Sequence, residues 1–249
     1  MQLCVLESCA EVASKAADHI QQAISEKPDS ILGLATGSTP IDTYKEIIGR
    51  YEQGKIDFSQ VRTFNLDEYY GLAADHPQSY HTFMHQQLFQ HINVPRERIH
   101  IPSGTPIHVQ EYCRSYEQFI TDCGGIDLQL LGIGSNGHIG FNEPSDQLSA
   151  DTHLVRLSEA TIEANARFFE RKEEVPQYAI TMGMGTILSA KKILLLALGI
   201  EKAEIIRKLF DTGVTTDIPA SFLRLHPNVI VLVDREAGSQ LVGNIKEFC

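Results

Sequence analysis

Short apolar segments alternate with amphipathic helical segments along most of the 249 residues, and this alternation constrains the fold more than any other feature. The apolar segments predict buried strands at 30–35, 61–66, 98–101, 126–132, 192–198 and 229–233. Strands of this kind, separated by helices, predict a mostly parallel sheet with helices on both faces. The sequence therefore predicts one doubly wound, Rossmann-like α/β domain over 1–249.

Apolar residues three and four positions apart predict the helices between these strands. The predicted helices cover 12–24, 40–51, 78–90, 109–121, 160–169 and 203–210, with another after the last strand. In a doubly wound sheet, ligands bind outside the carboxyl ends of the strands. The loops that follow the strands are therefore where the chemistry is expected.

Charge and cysteine content narrow the choice of partners and compartment. The chain carries 21 Lys and Arg against 32 Asp and Glu, so its formal net charge is −11. Because an acidic surface repels phosphate backbones and anionic lipids, neither nucleic acid nor a membrane is an expected partner. The first twenty residues lack a signal-peptide pattern, and the five cysteines include no CxxC pair. These features predict a cytoplasmic protein with free thiols.

The loop at 34–40 follows the first predicted strand and enters a helix. Gly37 permits close approach of the backbone to a ligand, and Ser38 and Thr39 offer hydroxyl and N–H donors at the helix N-terminus. This arrangement favours an anion such as phosphate. No Gly-Lys-Ser/Thr follows, so the segment is not a nucleoside triphosphate loop. An ordinary helix cap with a turn glycine is the alternative.

The segment at 65–71, read as a loop, carries two adjacent acids at the end of the second strand. Side-chain alternation lets Asp67 face a pocket while Glu68 points away. A carboxylate at a strand end is well placed to act as a general base. The alternative is a pair of surface acids that cap a turn.

The loop at 131–144 is rich in glycine and contains one histidine and one acid. Its Gly132, Gly134 and Gly137 spell GxGxxG, the dinucleotide-binding pattern. That pattern must open a helix and be followed about 20 residues later by a strand that ends in an acid, and neither is predicted here. No dinucleotide cofactor is therefore expected. His138 and Glu143 predict instead a proton-transfer pair, with a structural turn histidine as the alternative.

No metal site is predicted. His138, Glu143 and Asp67 could ligate a divalent ion, but the zinc patterns HExxH and HxE…PCxxC are absent. His81 and His85 are four residues apart on a predicted helix, and we expect them to lie on a solvated face.

Three motifs, taken together in this order and spacing, resemble the glucosamine-6-phosphate deaminase family. They are LGLATGSTP at 32–40, TFNLDEYYGL at 63–72 and LLGIGSNGHIGFNEP at 130–144. Later segments around 166–169, 181–186 and 221–227 also resemble that family, so the resemblance covers essentially the whole chain. The wider superfamily includes 6-phosphogluconolactonases and sugar-phosphate sensors. DEYYG together with GHIGFNEP points to the deaminase branch.

The resemblance implies a cofactor-independent reaction: glucosamine 6-phosphate and water give fructose 6-phosphate and ammonia, in amino-sugar catabolism. It implies that Asp67 moves the proton between C2 and C1, and that His138 handles the ring-opening proton with support from Glu143. Asn136 stands where many members carry aspartate, and its amide could only orient His138 by hydrogen bonding.

The resemblance also implies a phosphate site, a lid and an oligomeric state. Arg167 and Lys202 would add charge to the loop at 37–39, and a lid over 145–169 would close on the substrate. In allosteric hexameric members, a serine and an Arg-x-Lys-Thr run bind a second sugar phosphate. Here Asp146 and the segment 153–156 replace those residues. We therefore expect no activation by N-acetylglucosamine 6-phosphate and a monomer, with a dimer left open.

Two other functions stay open at this point. A sugar-phosphate lactonase would share the phosphate loop but would need no base at C2, so replacing Asp67 by Asn separates it from a deaminase. A phosphosugar sensor would bind without turnover. Such sensors usually follow a basic DNA-binding segment, which this sequence does not contain.

Overall fold

Seven parallel strands form the central sheet of the computed structural model, which describes residues 1–241. The strands are β1 (Gln2–Leu6), β2 (Ile31–Leu34), β3 (Arg62–Asn65), β4 (Asp67–Tyr70), β5 (Ile99–His100), β6 (Leu128–Gly132), β7 (His153–Arg156), β8 (Tyr178–Thr181), β9 (Lys192–Ala197) and β10 (Val229–Asp234). Their order in the central sheet is β1-β10-β9-β6-β2-β3-β5, and every neighbouring pair is parallel. The predicted doubly wound α/β class is confirmed.

The helices lie between these strands in the chain. They are α1 (Cys9–Glu26), α2 (Ile41–Glu52), α3 (Tyr80–Gln87), α4 (Val109–Asp122), α5 (Glu159–Asn165), α6 (Met184–Leu188) and α7 (Ala203–Asp211). Segments of 3₁₀ helix cover Phe89–His91, Arg96–Arg98, Ala166–Phe168, Lys172–Glu174, Ile200–Lys202 and Pro219–Leu225. The helices predicted at 78–90 and 160–169 therefore each end as a 3₁₀ turn. The helix predicted after the last strand lies outside the described residues. No helix among residues 1–241 is long and apolar enough to cross a membrane.

Successive side chains of the central strands alternate between two hydrophobic cores. In β9, Ile193 and Leu195 pack in the core that contains α4 and α7, whereas Leu194 and Leu196 pack in the core that contains α1 and α2. Because both faces are covered, these strands are apolar at nearly every position. This burial explains why the central strands were readable from the sequence.

The direction of the strand order reverses at β2 and β6. From β2 the chain builds outward through β3 to β5, whereas β6 is followed on its other side by β9 and β10. At such a switch point the loops after the two strands separate and leave a crevice at their carboxyl ends. The glycine-rich loops at 34–40 and 131–144 both begin there.

A second sheet of three antiparallel strands, in the order β4-β8-β7, was not predicted. The interpretation of 65–71 as a loop is therefore wrong for Asp67–Tyr70. The backbone leaves the parallel sheet at Leu66, whose N–H donates to Leu34 O (3.1 Å) and whose carbonyl accepts from Met182 N (2.7 Å). Asp67 begins β4 at once, so both acids lie in a buried strand. The edge strand β1 was also missed.

Candidate active site

A cavity of about 270 Å³ lies at the switch point between β2 and β6. Its volume is close to the lower end of the range of small-molecule pockets, about 300–1,000 Å³. Eight of the nine sequence-predicted site residues line it: Gly37, Ser38, Thr39, Asp67, Asn136, His138, Arg167 and Lys202. The ninth, Glu143, lies behind His138 and Asn136 and contacts both. The tertiary structure thus brings together residues that are up to 165 positions apart in the chain.

A larger cavity, of about 1,000 Å³, lies elsewhere, between α3, α4 and the edge strand β5. None of the nine predicted residues lines this cavity. His81 and His85, which were expected on a solvated helix face, do line it. The His81 ring is bonded to Glu68 rather than exposed on a solvated face. Within residues 1–241, no group of three or more His, Cys, Asp and Glu side chains is arranged to hold a metal ion.

The loop after β2 turns into α2 at the floor of the smaller cavity. Gly37 has a φ of +89°, a conformation that other residues rarely adopt. Ser38 and Thr39 follow it, and α2 begins at Ile41 with Pro40 at its N-cap. The positive end of α2 therefore lies beside two hydroxyl-bearing residues, as an anion site requires.

Asp67 is a buried carboxyl at the start of β4, and only 6% of it is exposed. Burial, together with the neighbouring negative charge of Glu68, raises the pKa of Asp67 to about 8. A carboxylate that gains a proton near neutral pH is a much stronger base than an ordinary aspartate. Such a group can both remove and return a proton at pH 7.

Asn136 connects His138 to Glu143. The Asn136 amide donates from Nδ2 to Glu143 Oε2 (2.6 Å), while its Oδ1 accepts from His138 Nδ1 (2.8 Å). His138 Nδ1 is farther, 3.4 Å, from Glu143 Oε2. A carboxylate only accepts hydrogen bonds, so the amide nitrogen must face Glu143 and the amide oxygen must face the ring. The neutral His138 therefore carries its proton on Nδ1, and Nε2 is the basic nitrogen of the ring.

Glu143 is the anionic end of the hydrogen-bonded chain His138–Asn136–Glu143, which we call the relay. Burial alone would raise the pKa of its carboxyl, but interactions with His138, Thr161 and Asn136 outweigh burial and lower the pKa to about 2. Glu143 Oε1 accepts hydrogen bonds from Thr161 Oγ1 and from Ser158 Oγ (3.2 Å). Ser158 is the N-cap of α5. The relay therefore also ties down the first turn of the helix that leads to Arg167.

Gly134, the middle glycine of the GxGxxG pattern, makes room for the His138 ring. A Cβ at Gly134 would lie 2.2 Å from Cε1 and 2.3 Å from Nδ1 of the His138 ring. The ring therefore lies directly against the Gly134 backbone. Gly137 has a φ of +89° and turns the chain between Asn136 and His138, so that the Asn136 side chain can reach His138 Nδ1.

Arg167 and Lys202 supply positive charge to the cavity from two different elements. Arg167 is exposed in the 3₁₀ turn after α5 and stacks over the Phe168 ring, 4.7 Å from its centroid. Lys202 is half-buried and immediately precedes α7. Burial and the nearby charge of Arg167 lower the pKa of Lys202, although Glu201 opposes them. Two neighbouring cations that line one cavity can bind a shared anion.

Sequence reasoning missed Tyr80 and Thr161, which also line the cavity. Tyr80 is the first residue of α3, and its ring is stacked parallel to that of Phe141 with centroids 6.3 Å apart. Neither residue belongs to a loop after a strand of the central sheet, where the site was predicted. The one available signal was the spacing of Ser158 and Thr161, typical of a helix N-cap.

The chain matches a family described as glucosamine-6-phosphate isomerases/6-phosphogluconolactonase over residues 6–231. A glucosamine-6-phosphate deaminase of Thermoanaerobacter pseudethanolicus is 54% identical over 239 residues, which are 96% of this chain and 94% of that protein. One from Clostridium botulinum is 51% identical over 241 residues, 97% of this chain and 99% of that protein.

Solved structures show the same fold. A structure described as a monomeric glucosamine-6-phosphate deaminase has a TM-score of 0.95 and 47% identity, and the match covers 97% of this chain and all of that chain. A 6-phosphogluconolactonase from Trypanosoma brucei has a TM-score of 0.78 at 22% identity, with 97% and 98% of the two chains covered. At that identity the second likeness shows the fold alone.

Proposed function

Because the chain belongs to the family of glucosamine-6-phosphate isomerases and 6-phosphogluconolactonases, we propose that it is a glucosamine-6-phosphate deaminase. The reaction converts glucosamine 6-phosphate and water to fructose 6-phosphate and ammonia, in amino-sugar catabolism. One observation carries the proposal: a carboxyl with a raised pKa, an oriented imidazole and two cations line the same small cavity. Deaminase relatives about half identical to this chain over nearly its whole length support it.

Ring opening is the first step, and it falls to His138. Opening the pyranose moves a proton from the hydroxyl on C1 to the ring oxygen. An imidazole that is basic at Nε2 can take the proton from the C1 hydroxyl and deliver it to the ring oxygen. Asn136 and Glu143 hold the ring in this tautomer. Asn136 thus orients His138 without exchanging a proton itself.

Isomerisation is the second step, and it falls to Asp67. The carboxylate removes the proton from C2 of the open-chain aminoaldehyde and returns it to C1. The C1 oxygen gains a proton as the C2 amine loses one, which leaves a hydroxyl on C1 and an imine at C2. Water adds to that imine and ammonia leaves, so the ketose phosphate is formed without an oxidant or reductant. Exclusion of bulk water, which burial of Asp67 provides, strengthens the base and protects the intermediate.

The phosphate group is bound by hydrogen-bond donors and positive charges, namely N–H groups, hydroxyls and cations. Gly37, Ser38 and Thr39 supply the donors at the start of α2, and Arg167 and Lys202 supply the charge. The segment 145–169 acts as a lid, since it carries Arg167 into the cavity lining. Ser158 and Thr161 of this segment donate hydrogen bonds to Glu143. A bound phosphate would draw Arg167 toward Lys202 and hold this segment closed.

A lactonase would use the same phosphate site, but lactone hydrolysis has no step that moves a proton from C2. The buried base at position 67 therefore favours the deaminase. We also propose that the protein acts as a monomer in the cytoplasm. The solved structure described as monomeric supports the oligomeric state.

The test is ammonia release from glucosamine 6-phosphate by the purified protein, with EDTA present and no cofactor added. Equal amounts of ammonia and fructose 6-phosphate are expected. Binding of the sugar phosphate without release of ammonia would refute the deaminase and favour a sensor. Turnover of a phosphosugar lactone that survives the Asp67→Asn substitution would favour a lactonase.

A further inference from the structure

We propose that Glu68 is a positioning residue for the proposed reaction, because its carboxylate joins the strand that carries Asp67 to the helix that carries Tyr80. The inference rests on the proposed function and adds a residue to it. Glu68 points away from the cavity, as side-chain alternation in a strand requires. It acts through its neighbours and does not touch the substrate.

The carboxylate of Glu68 is completely buried and accepts four N–H groups. Its Oε1 accepts from the backbone N–H of Tyr69 (2.8 Å) and of Tyr80 (2.9 Å). Its Oε2 accepts from the backbone N–H of His81 (3.1 Å) and from His81 Nδ1 (2.9 Å). Tyr80 and His81 are the first two residues of α3, where unpaired N–H groups and the helix dipole attract an anion. We call this set of four hydrogen bonds the Glu68 clamp.

The Glu68 clamp fixes one wall of the cavity. The Tyr80 ring packs with its centroid 4.8 Å from that of the Tyr69 ring and is stacked on the Phe141 ring. Tyr80, Phe141 and Thr36 line the cavity together with Asp67. A shift of the first residues of α3 would therefore move this wall relative to Asp67, the base that precedes Glu68 in β4. Misplacement of about 1 Å in such a site can cost a hundredfold in rate.

Glu68 also places a negative charge next to the base. Several other titratable groups face Asp67 from the elements packed around it: Tyr69 in β4, Tyr44 in α2, Tyr80 in α3 and Tyr116 in α4. Burial raises the pKa of all four phenols, so they are neutral at pH 7. His138, Arg167 and Lys202 line the same cavity as Asp67. Among the groups packed around Asp67, Glu68 is the anion that adds to the effect of burial.

Two substitutions separate the geometry of the clamp from its charge. Glu68→Gln keeps the length of the side chain but removes the charge, and its amide nitrogen opposes the N–H of His81. Glu68→Asp keeps the charge but is too short to reach both N–H groups of α3. His85→Ala is the matched control, because His85 lies one turn further along α3 and takes no part in the Glu68 clamp.

The readout is the pH profile of kcat/KM for ammonia release, together with kcat and KM at the optimum. For Glu68→Gln we expect the acid limb to move down by about one pH unit, since the base loses a like charge. For Glu68→Asp we expect kcat to fall about tenfold or more while the acid limb stays in place. His85→Ala should match the wild type. A merely structural role would lower the amount of folded protein without moving the limb.

Circular dichroism and thermal melting report whether each variant is folded. If Glu68→Gln does not fold, Glu68→Asp decides the matter, and wild-type kcat in that variant would overturn the proposal. A folded Glu68→Gln with an unshifted limb would overturn it as well. A wild-type protein that releases no ammonia would instead refute the proposed function, so the two failures are distinguishable.

Discussion

Burial of the Asp67 carboxyl raises its pKa, which makes it a stronger base but lowers the stability of the folded protein at high pH. Its pKa is about 8 in the folded protein and about 3.9 in the unfolded chain, so the folded state holds a proton over that range that the unfolded state releases. Stability therefore falls as the pH rises from about 4 to 8, and the full cost is present above pH 8. The cost is on the order of several kcal/mol, since one pH unit corresponds to about 1.4 kcal/mol.

The Asp67→Asn substitution should therefore lower activity strongly and stabilise the protein. We expect kcat to fall by about 10²–10⁴, the usual contribution of a general base. We expect the melting temperature to exceed that of the wild type at pH 8.5, with the difference shrinking as the pH approaches 4. Thermal melts of both proteins at the two pH values measure this. A difference independent of pH would show that the folded-state pKa of Asp67 is ordinary.

The contact between Gly134 and His138 makes a second prediction for a single residue. In Gly134→Ala the new Cβ would overlap the His138 ring, which must then leave the Asn136 amide. We expect kcat to fall by about 10² or more, as for loss of an oriented general acid–base, with little loss of folded protein. Gly132→Ala is the control, because its Cβ would approach no atom outside the neighbouring residues closer than 3.9 Å. Equal kcat in the two variants would contradict the assigned role of the glycine.

The proposed lid at 145–169 is attached differently in its earlier and later parts. Its amino-terminal part is anchored, since Thr152 N donates to Glu117 Oε1 (2.6 Å) and β7 pairs with β8. Its later part, α5 and the turn with Arg167, is held to Glu143 by two hydroxyls. Motion on binding is therefore expected after β7 rather than over the whole of 145–169.

Removal of Arg167 should affect binding more than chemistry. In Arg167→Ala we expect KM for glucosamine 6-phosphate to rise about 10–100-fold, since a charge-assisted hydrogen bond contributes about 1.5–3 kcal/mol. We expect kcat to change little, because the relay behind His138 is intact. Arg171 lies four residues after Arg167 and forms an exposed ion pair with Glu174, so Arg171→Ala should leave both constants unchanged. A fall in kcat at constant KM in Arg167→Ala would show that this residue serves the chemistry instead.

At the scale of elements, burial decided which strands could be read from the sequence. β6, β9 and β10 are covered on both faces and stand out as apolar runs. β4 and β7 belong to the small antiparallel sheet and carry acids, tyrosines, a histidine and an arginine. Their sequences have no apolar run and no alternation, so they resembled loops. Both strands are formed by pairing with β8, which lies far from β4 in the chain and is separated from β7 by the segment that contains α5.

For the molecule as a whole we expect a monomer with hyperbolic kinetics. The stretch that would bind a second sugar phosphate in allosteric relatives carries an exposed Asp146 and ends in β7, where Arg156 is the only basic side chain apart from His153. Light scattering should give a mass near 27.7 kDa. N-acetylglucosamine 6-phosphate should neither activate the enzyme nor change the shape of its saturation curve. Sigmoidal kinetics that this ligand abolishes would contradict the prediction.

The sequence by itself determined the fold class and the site motifs, because both are local. Strands buried on two faces must be apolar along their length, and the turns at Gly37 and Gly137 need residues that tolerate a positive φ. These constraints act on neighbours in the chain. They sufficed to place Asp67, His138 and the loop at 37–39 near one another at the strand ends.

The tertiary structure decided what those residues can do. The pKa of Asp67 depends on burial under elements from distant parts of the chain, and the tautomer of His138 depends on the order in which Asn136 and Glu143 line up behind it. The role of Glu68 depends on where α3 begins. Burial and hydrogen-bond direction depend on the three-dimensional arrangement of the side chains, and the spacing of residues in the sequence does not specify them.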